Sequence, residues 1–194
     1  MTGVEILYIV LGVVGVFLIA VAISYNRFIG QRNLIRDAWS NIDTELRRRY
    51  DLIPNLVETV KGYAAHEKAL FEKITADRAA AAAATGPPSE QAAAETPLVQ
   101  GVRQLFAVAE NYPDLKASEN FLDLQRRLTD TEDRLQAARR FYNGNVRDYN
   151  RRVQSFPSNV IAGVFNFEDA QFFEVEEAIR RPPQVDVAGT AGPG

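Results

Sequence analysis

Few side chains in this sequence could do chemistry, and the first to consider are His66 and Glu67. A zinc-protease motif needs a second histidine four residues after the first, and Leu70 stands there instead. Neighbouring residues also point about 100° apart on a helix, so these two side chains do not converge on one ion. We therefore assign His66 no metal and expect it to be a partly buried residue that hydrogen-bonds a neighbouring helix.

Acidic residues are plentiful, but their spacing does not predict a catalytic or metal centre. The run from Asp130 to Asp133 is typical of a solvated helix face. Di-iron helical bundles need paired Glu-x-x-His motifs, which a single histidine cannot supply. The sequence also has no cysteine, no glycine-rich phosphate loop and no nucleophile elbow. We therefore predict no catalytic, cofactor-binding or metal-binding residues, no small-molecule substrate and no enzymatic activity.

Paired tyrosines and asparagines form the more unusual polar pattern. Tyr142-Asn143 and Tyr149-Asn150 are seven residues apart, which places the two tyrosines on one face of a helix. Buried tyrosine hydroxyls need hydrogen-bond partners. Two interpretations stay open: an internal polar network that fixes the register of the helices, or a recognition groove. Further residues that could belong to the same pattern are Tyr25, Asn26, Asn55 and Asn120.

An apolar run near the start of the chain extends from Ile6 to Ser24, over 19 residues without charge or proline. A helix that crosses a bilayer of about 30 Å needs about 20 such residues. The run is apolar on every face, which disfavours a buried core helix. Residues 20–22 resemble a signal-peptide cleavage site, but residues 1–5 carry no Lys or Arg. We therefore predict a short N-terminal segment, residues 1–5, and a transmembrane helix, residues 6–24, that contacts the lipid bilayer.

The charges that flank this run predict its orientation. Arg27, Arg32 and Arg36 follow the run, and no basic residue precedes it. The positive-inside rule then places the N-terminus outside and the main domain in the cytoplasm, as a single-pass protein of the cell membrane. A basic juxtamembrane stretch also attracts anionic lipid, which keeps a lipid-binding or membrane-shaping module as an alternative. The whole chain has 22 basic and 25 acidic residues, a balance that disfavours a nucleic-acid binder.

The chain after this run shows helical periodicity and no strand pattern. Apolar residues recur every seventh position from Trp39 to Val60, as in a seam that packs against other helices. Pro54 interrupts the seam, since a proline inside a helix removes a hydrogen bond. We expect the helix to end near Tyr50 and a new helix to begin with Asp51 as its N-cap. The alternative is one long helix that kinks at Pro54.

Turn and cap residues divide the middle of the chain. Residues 85–89, Thr-Gly-Pro-Pro-Ser, predict an exposed loop after a run of alanines. Thr96-Pro97 has the residue types that open a helix. After a turn at residues 111–114, Ser118 is expected to cap the last long helix, and Pro157 is expected to end it.

The end of the chain is expected to add little to the core. Aromatic residues between 165 and 181 predict a loop and a short helix that cover the end of a bundle. Residues 182–194 are rich in proline and glycine and are expected to be disordered. The predicted fold is all-α: an N-terminal transmembrane helix followed by an antiparallel up-and-down four-helix bundle over residues 25–181.

Three stretches of the sequence resemble the signatures of the LemA family. The first is Arg48 to Val57, which continues to Glu67, and the second is Glu110 to Phe121. The third comprises the two Tyr-Asn pairs at 142–143 and 149–150, together with Phe156-Pro157. The resemblance covers roughly residues 25–175.

The resemblance implies a bacterial protein with one N-terminal transmembrane helix and an antiparallel helical bundle in the cytoplasm. The biochemical role of the family is not established, and it has no assigned catalytic residues to carry over. A magnetosome relative takes part in building a membrane organelle, which implies scaffolding. We therefore expect a protein-interaction or scaffolding module at the inner membrane, whose partner is another membrane or cytoplasmic protein or a second copy. A metal-dependent enzyme that uses His66 remains an alternative.

Overall fold

The computed structural model describes residues 2–175, which form six helices and no strand. The predicted all-α fold class is confirmed. The predicted disordered tail, residues 182–194, and the end of the predicted bundle, residues 176–181, lie outside the described part of the chain. The helices are α1 (Gly3–Lys61), α2 (Lys68–Ala83), α3 (Pro88–Ala109), α4 (Pro113–Lys116), α5 (Glu119–Gln154) and α6 (Ser158–Val164).

Helix α1 continues from the apolar run into the bundle without a break. It has 59 residues and contains Pro54 in its interior. The expected end of the helix near Tyr50, with Asp51 as the next N-cap, is therefore wrong, and the alternative of one long helix describes the structure. The apolar seam explains this result, because Leu46, Ile53 and Val60 stay on one buried face across the proline.

The carbonyl group of Tyr50 shows how the helix tolerates the proline. A proline has no N–H to donate to the carbonyl oxygen four residues earlier, which in this case belongs to Tyr50. Arg78 of α2 supplies the missing donor, and its Nε lies 2.6 Å from that oxygen. The hydrogen bond that Pro54 removes from α1 is thus replaced by one from a neighbouring helix.

Helices α1 and α5 pack side by side in opposite directions. Near the apolar run, the rings of Phe28 and Tyr149 meet edge to face, with their centroids 6.0 Å apart. At the far end, Asn120 Nδ2 donates to Thr59 Oγ1 at 3.1 Å. Helices α2 and α3 form a shorter hairpin against the half of α1 far from the apolar run. The α1–α5 pair and the α2–α3 hairpin together give the predicted antiparallel arrangement of four long helices.

The start of α3 differs from the expectation. Pro88 is the first residue of α3, and Pro97 lies in its interior, so the predicted start at Thr96-Pro97 is wrong. A proline fits the first helical position because the N–H there has no partner within the helix. Residues 91–94, Gln-Ala-Ala-Ala, are good helix formers and carry the helix from that start to Pro97.

The chain after α5 also differs from the expectation. A short helix that was not predicted, α6, precedes Phe165, and residues 165–175, the described part of the predicted loop and short helix, are not helical. Asn166 has a left-handed backbone, with φ of 55°, a conformation that asparagine tolerates better than most residues. The N–H of Phe167 donates to the carbonyl of Ala162 at 2.9 Å, which ends α6 in a Schellman-type cap. Residues 167–175 then run back along α1 and α5 instead of covering the end of the bundle.

The apolar run of α1 projects beyond the bundle. In the described part of the chain, α1 is the one helix long and apolar enough to cross a membrane, and none of its apolar window is buried by the rest of the protein. Large side chains such as Phe17 and Ile19 are therefore exposed, in contrast to the buried seam further along the same helix. The run is a candidate membrane span, as the sequence predicted.

The replacement of the missing proline donor by Arg78 can be tested with a double-mutant cycle. We expect Arg78→Ala to lower the free energy of unfolding by about 1.5–3 kcal/mol, because it leaves the Tyr50 carbonyl without a donor. In a Pro54→Ala background the alanine N–H can bond that carbonyl, so the same change at Arg78 should cost about 1 kcal/mol less. Denaturant unfolding of the four chains in detergent measures both values, and equal costs in the two backgrounds would refute the compensation.

Candidate functional site

A groove between α3 and α5 is a large concave surface in the described part of the chain. Its volume is about 1270 Å³, and Leu46 and Arg49 of α1 contribute to its floor. Apolar side chains of α3 and α5, such as Val102 and Leu128, line its lower walls. Its charged and amide-bearing lining residues include Arg103, Glu132, Asp133, Gln136, Arg140 and Arg147.

A buried ion pair lies beneath this groove. Arg49 of α1 is 3% exposed and Glu95 of α3 is fully buried, and the Arg49 guanidinium bonds the Glu95 carboxylate. The same guanidinium reaches α5, where its Nη1 lies 2.8 Å from Glu132 Oε1. Arg49 therefore links three helices through charge-assisted hydrogen bonds, the strong class of such bonds.

Polar neighbours satisfy the buried carboxylate of Glu95. The hydroxyl of Tyr50 donates to it, and Gln91 Nε2 donates to its Oε1 at 3.1 Å. Burial raises the pKa of Tyr50 above its usual 10.0, although the nearby Arg49 charge opposes this shift. The hydroxyl consequently stays protonated at neutral pH and remains a donor. A buried charge with this many partners is tolerated, whereas removing one partner of a buried ion pair lowers the free energy of unfolding by several kcal/mol.

Two asparagines of α5 hold an extended stretch of the chain against the helix. The side-chain amide of Asn150 accepts from the N–H of Ala170 at 2.8 Å and donates to its carbonyl at 2.9 Å. Asn143 makes the same pair of bonds with Phe173, at 2.9 and 3.1 Å. Each asparagine thus satisfies both backbone polar groups of one residue, as a neighbouring β-strand would do.

The spacing of these two contacts fits an extended peptide. Seven residues along α5 cover about 10.5 Å, and three residues of extended chain cover about 10 Å. Between the two asparagine contacts, the hydroxyl of Tyr142 donates to the carbonyl of Gln171 at 2.8 Å. Burial raises the pKa of Tyr142 above 10.0, which keeps this donor protonated. We call residues 170–173 the clamped segment.

The clamped segment leads into the groove. Phe173 is fully buried and meets Trp39 of α1 edge to face, with ring centroids 5.3 Å apart. The guanidinium of Arg139 lies 5.5 Å from the centre of the Phe173 ring, a cation–π distance. Phe173, Glu174 and Val175 line one end of the groove, so the extended chain enters it at that end.

The Tyr-Asn pattern thus gives an internal polar network, but its partner is an extended segment rather than another helix. Asn120 is not part of it, because its amide bonds Thr59 at the opposite end of the bundle. Tyr25 packs on Phe165 with ring centroids 4.9 Å apart, just beyond the apolar run. Asn55 is exposed on the long helix, away from the clamped segment.

His66 does not lie where we expected it. It is exposed in the turn between α1 and α2, next to Glu67, and not partly buried against a neighbouring helix. The side chain does not line the groove. Within residues 2–175, no group of three or more His, Cys, Asp or Glu side chains is arranged to hold a metal ion.

The buried cluster around Arg49 is the feature that reasoning from the sequence missed. Arg49 occupies a seam position between Ile42 and Leu56, where a charged residue is out of place. Glu95 likewise falls one turn before Leu98 on the apolar stripe of α3. The sequence therefore contained a signal for a buried ion pair, because opposite charges occupy positions on two different helices that face the core.

Fold and site define a class of protein: a helical bundle on one candidate membrane-spanning helix, with an open groove that an extended segment of the chain enters. Over residues 38–187 the sequence matches the LemA family, and the chain belongs to that family.

Curated relatives agree with this family. "Protein LemA" of Metamycoplasma hominis is 26% identical over 186 residues, covering 92% of this chain and 83% of the relative. "Magnetosome protein MamQ 2" of Paramagnetospirillum magneticum is 25% identical over 187 residues, covering 84% of this chain and 69% of the relative. "Magnetosome protein MamQ" of Magnetospirillum gryphiswaldense is 22% identical over 197 residues, covering 87% of this chain and 72% of the relative.

The asparagine contacts can be tested by hydrogen exchange. We expect Asn143→Leu and Asn150→Leu each to speed exchange of the backbone amides in the clamped segment, because each change removes both hydrogen bonds to the backbone of one residue. Asn145→Leu is the matched control, since Asn145 bonds only the Phe141 carbonyl of its own helix. Mass spectrometry of peptides that cover residues 165–175 gives the readout. Exchange in the Asn143 and Asn150 variants that matched the Asn145 variant would contradict the assignment.

Proposed function

We propose that this protein is a membrane-anchored interaction module whose α3–α5 groove binds an extended, acidic segment of a partner protein. The anchor is the apolar run of α1, and the bundle faces the cytoplasm of the inner membrane. The orientation rests on Arg27, Arg32 and Arg36, which follow the run on the bundle side. A single span confines such a module to a surface and raises its effective concentration for partners at the same membrane.

The main support for this proposal is that the seven-residue spacing of amide side chains along α5 continues into the groove. Asn150 and Asn143 bind residues 170 and 173, and the next position seven residues back along α5 is Gln136. Gln136 is exposed, lines the groove and also carries a side-chain amide. A peptide that continues the extended path can therefore pair its backbone with Gln136 in the same way.

The charges along the groove define the chemistry of the segment. Arg140 of α5 lines the groove just beyond the clamped segment, and Arg147 of α5 lines it beside that segment. The groove is lined by five arginines and by three acidic residues, Glu132, Asp133 and Glu174, so its lining is net basic. Glu132 in addition already binds Arg49. Guanidinium groups bind carboxylates with paired, charge-assisted hydrogen bonds, so acidic side chains in the bound segment fit these positions. The apolar lower walls accept the intervening aliphatic side chains.

The geometry gives less support to the alternative of a metal-dependent enzyme. His66 lies in an exposed turn outside the groove, whereas the active sites of enzymes usually lie in a cleft or cavity. We therefore propose a binding role without catalysis.

Site-specific photo-crosslinking in cells tests the groove. A photoreactive residue at Thr129, which lines the groove, should crosslink to an acidic, extended stretch of another protein, mapped by mass spectrometry. Arg140→Glu should lower the yield by about tenfold, because one charged contact is lost, and Gln136→Leu should also lower it, because the amide that pairs with the peptide backbone is lost. Arg140→Lys should retain most of it. A photoreactive residue at Arg126, exposed and outside the groove, is the matched control.

Four results would overturn the proposal. Crosslinks from Thr129 to residues 176–194 of the same chain would show that the protein fills its own groove, with Glu176 and Glu177 as the acidic side chains. Crosslinks to a second copy would replace the partner protein by self-association. A yield at Thr129 no higher than at Arg126, or one that ignored the charge at position 140, would mean that the groove binds no such segment.

A further inference from the structure

Helix α6 exposes an apolar face that nothing in the described chain covers. Val160 and Val164 are one turn apart on that face and are 57% and 70% exposed, and Phe156 just before the helix is 82% exposed. On the opposite face, Ala162 is buried in a cluster with Phe28 of α1. The helix therefore has one side packed on the bundle and one apolar side turned away from it.

The register of α1 and α5 gives the height of this face relative to the apolar run. Phe28 lies against Tyr149. Five residues further along α5, Gln154 is about 7.5 Å closer to the end of the molecule that carries the apolar run. The same distance along α1 leads from Phe28 back to Ile23, inside the run. Phe156 is two residues after Gln154 and so lies at the height where the apolar run ends.

Aromatic contacts support this placement. Tyr25 is the first residue after the apolar run, and its ring packs on Phe165 and Phe167, with centroids 4.9 and 5.6 Å away. Phe165 follows α6 directly and is itself 44% exposed. Tyrosine and phenylalanine side chains at such a position are typical of the boundary between lipid and water.

From these observations we propose that α6 and Phe156 lie in the interface of the lipid bilayer and insert Phe156, Val160 and Val164 among the acyl chains. The inference rests on the membrane span proposed for α1. An apolar helix face buries itself by about 5–10 Å at the boundary of headgroups and acyl chains, which fits the height derived above. The exposed Arg27 and Arg151 lie near the same height and can reach lipid phosphates with their long side chains.

In this position α6 fixes the bundle at the membrane by a second contact. A single helical span leaves a domain free to tilt relative to the membrane surface. A second contact at α6 restricts that tilt and sets which side of the bundle faces the lipid. The α3–α5 groove then has a fixed orientation relative to the membrane surface.

Depth-dependent fluorescence quenching tests the proposal in the full chain. The protein has no cysteine, so Val160→Cys and Val164→Cys each give one site for an environment-sensitive dye. The labelled chains are reconstituted in nanodiscs of phosphatidylcholine and phosphatidylglycerol, with nitroxide lipids as quenchers. We expect both dyes to lose most of their emission to nitroxides near the headgroup. Arg126→Cys, exposed near the far end of the bundle, should lose almost none.

Leu18→Cys, in the middle of the apolar run, separates the possible failures. Quenching of Leu18→Cys by deep nitroxides, together with unquenched dyes at 160 and 164, would overturn the placement of α6 while the span remained. No quenching at Leu18→Cys would overturn the span and, with it, the inference for α6. Quenching at 160 and 164 that persists in nanodiscs of phosphatidylcholine alone would show that the apolar face, rather than anionic lipid, holds α6 in place.

Discussion

The hydrogen bond from Arg78 to the Tyr50 carbonyl is the interaction on which the rest of the structure depends. Pro54 deletes a backbone donor in the middle of α1, and an uncompensated loss there favours a break or a kink. Because α2 supplies the donor, α1 runs unbroken from the apolar run to Lys61. One helix therefore serves as both the candidate membrane span and the central element of the bundle, and the bundle's position is tied directly to the membrane.

The arrangement around α1 follows from polar as well as apolar packing. Arg49 lies between Glu95 of α3 and Glu132 of α5, so these two helices meet at this level through a guanidinium rather than through interlocking aliphatic side chains. The groove opens directly above. Further along α5, the side chains of Asn143 and Asn150 form hydrogen bonds with the backbone of the clamped segment. These bonds hold the segment in a position from which it enters the groove. Buried and half-buried polar groups thus shape the surface that we propose for binding.

The sequence predicted what local patterns determine. Period and composition indicated the all-α fold, the candidate span and the last long helix after Ser118. The same local rules failed at Pro54 and Pro97, because tertiary contacts and neighbouring helix formers override the proline signal. The binding of an extended segment by Asn143 and Asn150 could not be predicted from the sequence, because residues 170–173 show no pattern that is typical of an extended strand. The Arg49–Glu95 pair was visible only as two charges at core-facing positions on separate helices.

The central claim is that one rigid helix joins the bilayer to the bundle. Its most direct test is the distance between nitroxides at Asn26→Cys and Glu58→Cys, both exposed on α1, measured by pulsed electron paramagnetic resonance in nanodiscs. A continuous helix predicts a single narrow distribution centred near about 48 Å, from its rise of 1.5 Å per residue. A broad distribution, or one centred well below that distance, would mean that α1 breaks between the two labels and would contradict the account.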